Sequence, residues 1–183
     1  MEGVEKEVVM VEGVKAVVKE VEAKVVAMVT QEAFIFPSLG ATAFILFYVP
    51  MAQPASPRNT LCGHLIGALM GLLALYMFGL QGQASAFMTG VDLPRVGAAA
   101  LSLGLTSCLM VVFRVAHPPA GATALIVSLG LMPNPAQLPV LMAGVALLLA
   151  HAFVMNRLAG IPYPLWSAST GSAPIRQQAP AAD

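Results

Sequence analysis

Between Ala33 and Met155 the chain consists largely of apolar runs separated by turn breakers. The runs cover approximately Ala33–Val49, Leu61–Leu80, Val96–Phe113, Pro118–Met132 and Leu138–Met155. A hydrocarbon core about 30 Å thick needs about 20 helical residues, with a working range of roughly 17–25. The second, third and fifth runs meet that length. The first is marginal, with Pro37 a turn inside it, and the fourth is short, closed by Pro118-Pro119 and Pro133. Pro50, Pro54 and Pro57, then Gly82 and Pro94, then Pro135 and Pro139 mark the linkers. The pattern predicts an all-α membrane protein with about five transmembrane helices.

Composition agrees. Hydrophobic residues make up 58% of the chain and charged residues 10%, against roughly 45–50% and about 25% in soluble domains. The net charge of zero hides a segregation, because seven of the nine acids lie in the first 32 residues. From Ala33 to Trp166 the charged residues are Arg58, Arg95, Arg114, Arg157 and Asp92. Cys62 and Cys108 sit inside apolar runs, match no zinc or redox spacing, and read as small hydrophobes.

The N-terminus is of another kind. Val4, Val11, Val18 and Val25 recur with Val14, Val21 and Met28 between them, a helical stripe with Glu and Lys on the other faces. Glu12, Lys15, Lys19, Glu20, Glu22 and Lys24 would each cost roughly 2.5–3.5 kcal/mol near a bilayer centre. An interfacial or partner-packed amphipathic helix is therefore expected over residues 1–32. The segment has neither the arginines and serines of a transit peptide nor the pattern of a cleavable signal. The membrane domain is expected over 33–160 and a disordered polar tail over 161–183, Ala/Pro/Ser-rich from Ser167 onward.

The apolar runs contain a duplication. Pro37-Ser38-Leu39-Gly40-Ala41-Thr42-Ala43-Phe44-Ile45 parallels Pro118-Pro119-Ala120-Gly121-Ala122-Thr123-Ala124-Leu125-Ile126, 81 positions later. Full crossing by the intervening segments would bring the two copies in from opposite sides, giving an inverted internal repeat of the kind used by many secondary transporters. Short, Pro/Gly-interrupted segments at matching places in two halves point to a binding site. The same offset aligns the third run with residues 13–33, where this chain carries its charged helix.

His117-Pro118-Pro119-Ala120-Gly121-Ala122-Thr123-Ala124-Leu125 resembles the signature of the HPP family of integral membrane proteins, and Pro57-Arg58-Asn59 followed by Gly63-His64 resembles a second stretch of that family. The resemblance covers about Phe36 to Arg157. It implies a small membrane protein of a bacterial inner membrane or plastid envelope, in a family linked to nitrite transport. The chain departs from the family in its Val/Glu/Lys segment, where a hydrophobic helix is usual, and in reading Ala-Ser-Pro-Arg-Asn for Ala-Gln-Pro-Arg-Asn.

Proline suits the first position of a helix, so His117-Pro118-Pro119 marks a helix start whose free N–H groups would belong to Ala120 and Gly121, with Thr123 one turn inside. Such a start can hold an anion, with His117 adding a donor or a charge at mildly acidic pH. The same residues also read as a sharp helix start with His117 at the interface, and the two readings stand level. Pro37, Gly40 and Thr42 repeat the arrangement without a histidine. Gly63, Gly67 and Gly71 form a stripe for close helix packing. His64 beside it reads equally as an intramembrane site or an interfacial residue, and His151 as structural. Arg58, Arg114 and Arg157 would share one face, which the positive-inside rule puts in the cytoplasm or stroma. The N-terminal lysines oppose that orientation.

No Asp or Glu lies in the five runs, which disfavours cation transport and proton relays built on acids. No P-loop, HExxH motif or nucleophile–base pattern suggests an enzyme. The expectation is transport of a small inorganic anion, nitrite by family resemblance, without cofactor or metal. Its substrate-binding candidates are His117, Pro118, Pro119, Gly121, Thr123, Pro37, Gly40, Thr42, Arg58, Asn59 and His64. The alternative is a membrane scaffold or sensing subunit with the N-terminal helix as its handle. The partners expected are the lipid bilayer, the anion and, as an open option, further copies of the chain, but no nucleic acid.

Overall fold

A computed structural model describes residues 37–168, so the helix expected at 1–32 and the tail beyond 168 lie outside the described residues. All regular structure among them is helical: α1 Pro37–Tyr48, α2 Pro57–Met77, α3 Ala86–Thr89, α4 Leu93–Val112, α5 Pro119–Ser128 and α6 Leu138–Leu158, with 3-10 turns at Gln53–Ala55 and Pro135–Gln137. α2, α4 and the stretch Pro135–Leu158 are long and apolar enough to cross a bilayer, whereas α1 and α5 are shorter. The fourth apolar run thus yields a helix of 10 residues, about 15 Å long at 1.5 Å per residue.

Local chemistry sets the helix ends. The Ser56 hydroxyl accepts the Asn59 N–H and Pro57 opens α2, while Asp92 accepts the Arg95 N–H at 3.0 Å and Pro94 lies in the first turn of α4. α4 closes in a Schellman motif: Val115 N–H reaches the Met110 carbonyl at 2.9 Å, Arg114 N–H reaches that of Val111 at 3.1 Å, and Val115 packs on Met110. Arg114 takes the left-handed position, usually a glycine's, at φ 53°. This turn sends the chain back inward toward α5.

The duplication seen in the sequence recurs in the elements. Each half runs short helix, 3-10 turn and 21-residue helix, with α2 and α6 beginning 81 positions apart. Gly79 and Gly160, the same distance apart, both close those long helices at positive φ.

Glycines set the packing. A Cβ on Gly63 would come within 2.7 Å of the His117 Cβ, one on Gly67 would strike the Ala120 carbonyl oxygen, and one on Gly71 would lie 2.7 Å from that of Ala124. α2 and α5 therefore advance side by side in the same direction. In the other half Gly144 of α6 faces Leu39 of α1, and Asn156 donates to the Leu46 carbonyl at 3.1 Å. Leu39 is the repeat counterpart of Ala120, and Gly144 that of Gly63. Each long helix thus packs on the short helix of the other half. α4 runs against α2, since Gly97 abuts Phe78 while Met110 packs with Cys62 and Ile66.

Large apolar side chains cover the outside, among them Leu65, Leu69 and Leu73 on α2, Val111 on α4, and Leu147 and Val154 on α6. Lipid solvates such a surface; water would not. Of the segment expected to be a disordered tail, residues 161–168 are described. Tyr163 is fully buried, its hydroxyl donates to the Ala55 carbonyl at 2.5 Å, and the Trp166 carbonyl accepts the Arg58 N–H at 2.9 Å.

Because a backbone carbonyl cannot give way as a side chain can, Gly67→Val is expected to cost about 3 kcal/mol or more. Gly104, with nothing within 4 Å of an added Cβ, is expected to accept alanine without loss. Thermal unfolding of the two variants in detergent measures the contrast.

Candidate functional site

The convergence of α1, α2, α5 and the loop before α5 places two histidines together. His64, seven residues into α2, is fully buried, and so is His117; their rings lie 4.9 Å apart. His64 Nε2 is 2.8 Å from the Thr42 hydroxyl and Nδ1 is 2.8 Å from that of Thr123. The two threonines at corresponding positions of the repeat thus hold opposite nitrogens of one imidazole. His117 Nε2 lies 3.2 Å from the same Thr42 oxygen, and its Nδ1 donates to the Pro54 carbonyl at 2.8 Å. Thr42 also reaches the Ser38 carbonyl of its own helix at 2.9 Å.

These contacts exist because the chain dips inside the bundle before α5 begins. Non-helical backbone at membrane depth must be satisfied by protein. His117 binds the Pro54 carbonyl, and Asn59 Nδ2 donates to that of Ala116 at 3.1 Å. At the other end of α5 the buried Arg95 donates from Nη1 to Leu129 and from Nη2 to Ala84, at 3.2 and 2.6 Å, with Asp92 3.6 Å from its Nε. A cation at the carbonyl end of a helix also meets the negative end of its dipole.

The helix start is less open than the sequence suggests. The Ala120 and Gly121 N–H groups, expected to be free for an anion, donate to the carbonyls of His117 and Pro118 at 3.0 Å each. The pair of prolines bends the chain back on itself, so the turn consumes its own donors. The polar groups that remain at the cluster are hydroxyl and imidazole. The hydroxyls of Ser38, Thr60 and Thr106, on α1, α2 and α4, are buried without a hydrogen-bond partner among the described residues.

Of the expected site residues, His117, Thr123, Thr42 and His64 form one hydrogen-bonded cluster. Pro118 and Pro119 shape the turn beside it, Gly121 faces Leu103 of α4, and Gly40 lies half-buried on α1 between Ser38 and Thr42. Pro37 opens α1. Asn59 braces the loop. Arg58 stands apart, donating to the Phe113 carbonyl at 3.2 Å. Sequence reasoning missed Arg95, Ser102 and Thr106. Their signal was a stripe with Ala98 along α4 at helical spacing, now buried, in which Ser102 donates to Ser128 at 3.0 Å.

The sequence profile of the family described as HPP, transmembrane region, matches residues 3–164. The chain belongs to the HPP transmembrane family. It is similar to a transmembrane protein of Dictyostelium discoideum, 30% identical over 145 residues that make up 76% of this chain and 47% of that protein. A second Dictyostelium discoideum transmembrane protein is 31% identical over 93 residues, 51% of this chain and 27% of its own length. The chain spans about half the length of the first relative and less of the second. No solved structure matches it. The matched segment of this HPP protein includes both Gly-Ala-Thr-Ala copies, the histidine pair and Arg95, and with its apolar helices identifies an integral membrane protein.

Replacing Arg95 with leucine strands the Leu129 and Ala84 carbonyls at the end of α5. Each buried unsatisfied group costs about 1–3 kcal/mol, so Arg95→Leu is expected to lower the unfolding midpoint sharply, and Arg95→Lys, which lacks the fork, to recover only part of the loss.

Proposed function

We propose that this HPP protein carries a small inorganic anion, nitrite, across the membrane through an inverted repeat whose two short helices meet at His64. One observation carries the reading: Thr42 and Thr123, 81 positions apart in the repeat, bind the two nitrogens of the same buried imidazole. Opposed short helices meeting at a shared polar centre match the plan of transporters built from inverted repeats. Further support comes from chain direction. α2 follows α1 back across the bundle and α5 runs with α2, so the two short helices run opposite ways.

The chemistry favours an anion. No acid lies in α1, α2, α4, α5 or α6, so these helices offer a cation no counter-charge. Hydroxyls and imidazole N–H groups donate to a small anion. The unpartnered hydroxyls of Ser38, Thr60 and Thr106 provide further donors in three of the helices around the histidine pair. Nitrite itself is taken from the functional link of the family that the motifs resemble.

Purified protein in liposomes is expected to take up nitrite above the rate of protein-free vesicles. A hydrogen bond to a charged group contributes about 1.5–3 kcal/mol, so Thr123→Val is expected to lower flux about tenfold or more at equal protein level, with Thr123→Ser retaining it. Arg157→Ala, whose guanidinium stacks over Phe153 at the far end of α6, is expected to behave as wild type. Folded protein that passes no nitrite would favour the scaffold or sensing role instead.

A further inference from the structure

We propose that the Pro54–His117–Thr42–His64–Thr123 chain takes up one proton with each anion, making transport an electroneutral proton–anion symport. This rests on the anion reading and adds to it the coupling ion and its path.

Counting hydrogens along the chain gives the mechanism. The Pro54 carbonyl can only accept, so His117 Nδ1 carries a hydrogen. In the neutral ring, His117 Nε2 must then accept, and the Thr42 hydroxyl beside it supplies the donor, its hydrogen shared between Nε2 at 3.2 Å and the Ser38 carbonyl at 2.9 Å. Thr42 oxygen in turn accepts from His64 Nε2–H, and His64 Nδ1 accepts from the Thr123 hydroxyl. Every donor in the resting chain points toward Pro54.

One proton from water enters at the Thr123 oxygen and moves every hydrogen one place along the chain. Thr123 gives its hydroxyl hydrogen to His64 Nδ1, His64 gives its Nε2 hydrogen to the Thr42 oxygen, and Thr42 gives its own to His117 Nε2. His117 is then the imidazolium and donates back to Thr42, whose hydroxyl faces His64 Nε2, while His64 Nδ1–H faces Thr123. No bond between heavy atoms forms or breaks, and the only net change is one added proton. The incoming hydrogen stays on Thr123 and, with His64 Nδ1 now a donor, is free to bind the solute. The charge rests at His117 while the anion donor appears at Thr123.

The counter-charge completes the coupling. A charge buried alone is costly unless it is paired. α1 and α5 carry no charged residue. On α2, Arg58 donates to Phe113 and Cys62 packs on Met110. On α4, Arg95 is engaged with Leu129 and Ala84, and Cys108 is exposed. On α6, His151 lies edge-on to Phe47 and Arg157 stacks on Phe153. Among the described residues no acid faces the histidine pair from any packed helix, and the partner assigned to the imidazolium is the anion itself. Each charge makes the other affordable, and the loaded site is neutral.

The full chain in liposomes, with a pH dye inside and the membrane potential clamped by potassium and valinomycin, tests this. Nitrite uptake should acidify the lumen by one proton per anion after correction for nitrous acid crossing protein-free vesicles. One pH unit, acid outside, should raise accumulation about tenfold, the equivalent of about 1.4 kcal/mol, and an imposed potential should leave it unchanged. Thr42→Val should abolish the dependence on the pH gradient and Thr42→Ser restore it. Nitrogen-15 NMR of labelled histidine reads the relay without any flux: His64 should change from the Nε2–H to the Nδ1–H form when the pair takes up a proton. Nitrite flux that follows the potential and carries no proton overturns the symport. A His64 tautomer that stays fixed on protonation overturns the relay whatever the flux shows. A tautomer change in a protein that passes no nitrite supports the relay and overturns the nitrite reading.

Discussion

The close approach of α2 to α5 is the contact on which the rest of the site depends. Gly67 against the Ala120 carbonyl, and Gly63 against His117, set the separation at which the His64 ring fits between Thr42 and Thr123. In a bilayer there is little hydrophobic gain in burying one apolar helix on another, and small residues that let backbones meet supply the packing instead. A larger side chain anywhere along that stripe would push α5 out and open the cluster. Packing and chemistry share one interface, and the glycines come before the histidine in the causal order.

Short helices inside a membrane create a second constraint, because their ends leave backbone groups where water cannot reach. The structure answers each with a long polar side chain. Asn156 takes the Leu46 carbonyl near the end of α1, Arg95 takes those of Leu129 and Ala84 near the end of α5, and Asn59 takes that of Ala116 in the loop before it. Of the three, only Asn59 is among the site residues the sequence singles out. Their role is to let half-length helices exist, and that frees the threonines and histidines for another use.

Much of this is legible in the sequence. Helix positions followed from run length and from Pro57, Pro94 and Pro119, and the Gly-Ala-Thr-Ala duplication foretold which segments would meet. His64 was undecided, read equally as interfacial, because residue spacing along one helix says nothing about what a second helix brings to it. The Ala120 and Gly121 donors, read equally as an anion site and as a plain helix start, are taken up by the turn for a related reason: whether a helix start is open depends on the turn before it, and the fold of Arg114 to Pro118 is not written in periodicity. Arg95 hid because an arginine three residues after an aspartate looks like a surface pair. Only α5 ending beside it, 34 residues on in the chain, makes it internal.

The repeat is imperfect where the chemistry lies. Carried 81 positions along, His64 falls on Val145, a buried core residue, and His117 carried back falls on Phe36. The threonines are duplicated and the histidines are not. A perfectly symmetric chain would own two equivalent polar centres, one per half, each nearer one face than the other. Two copies of the threonine and one of the histidine give a single centre that both halves contact. On the proposed reading of the chain as a carrier, a solute held at that one centre passes from one half to the other without crossing an apolar barrier. The duplication supplies two short and two long helices, and the unduplicated His64 and His117 make their polar centre single.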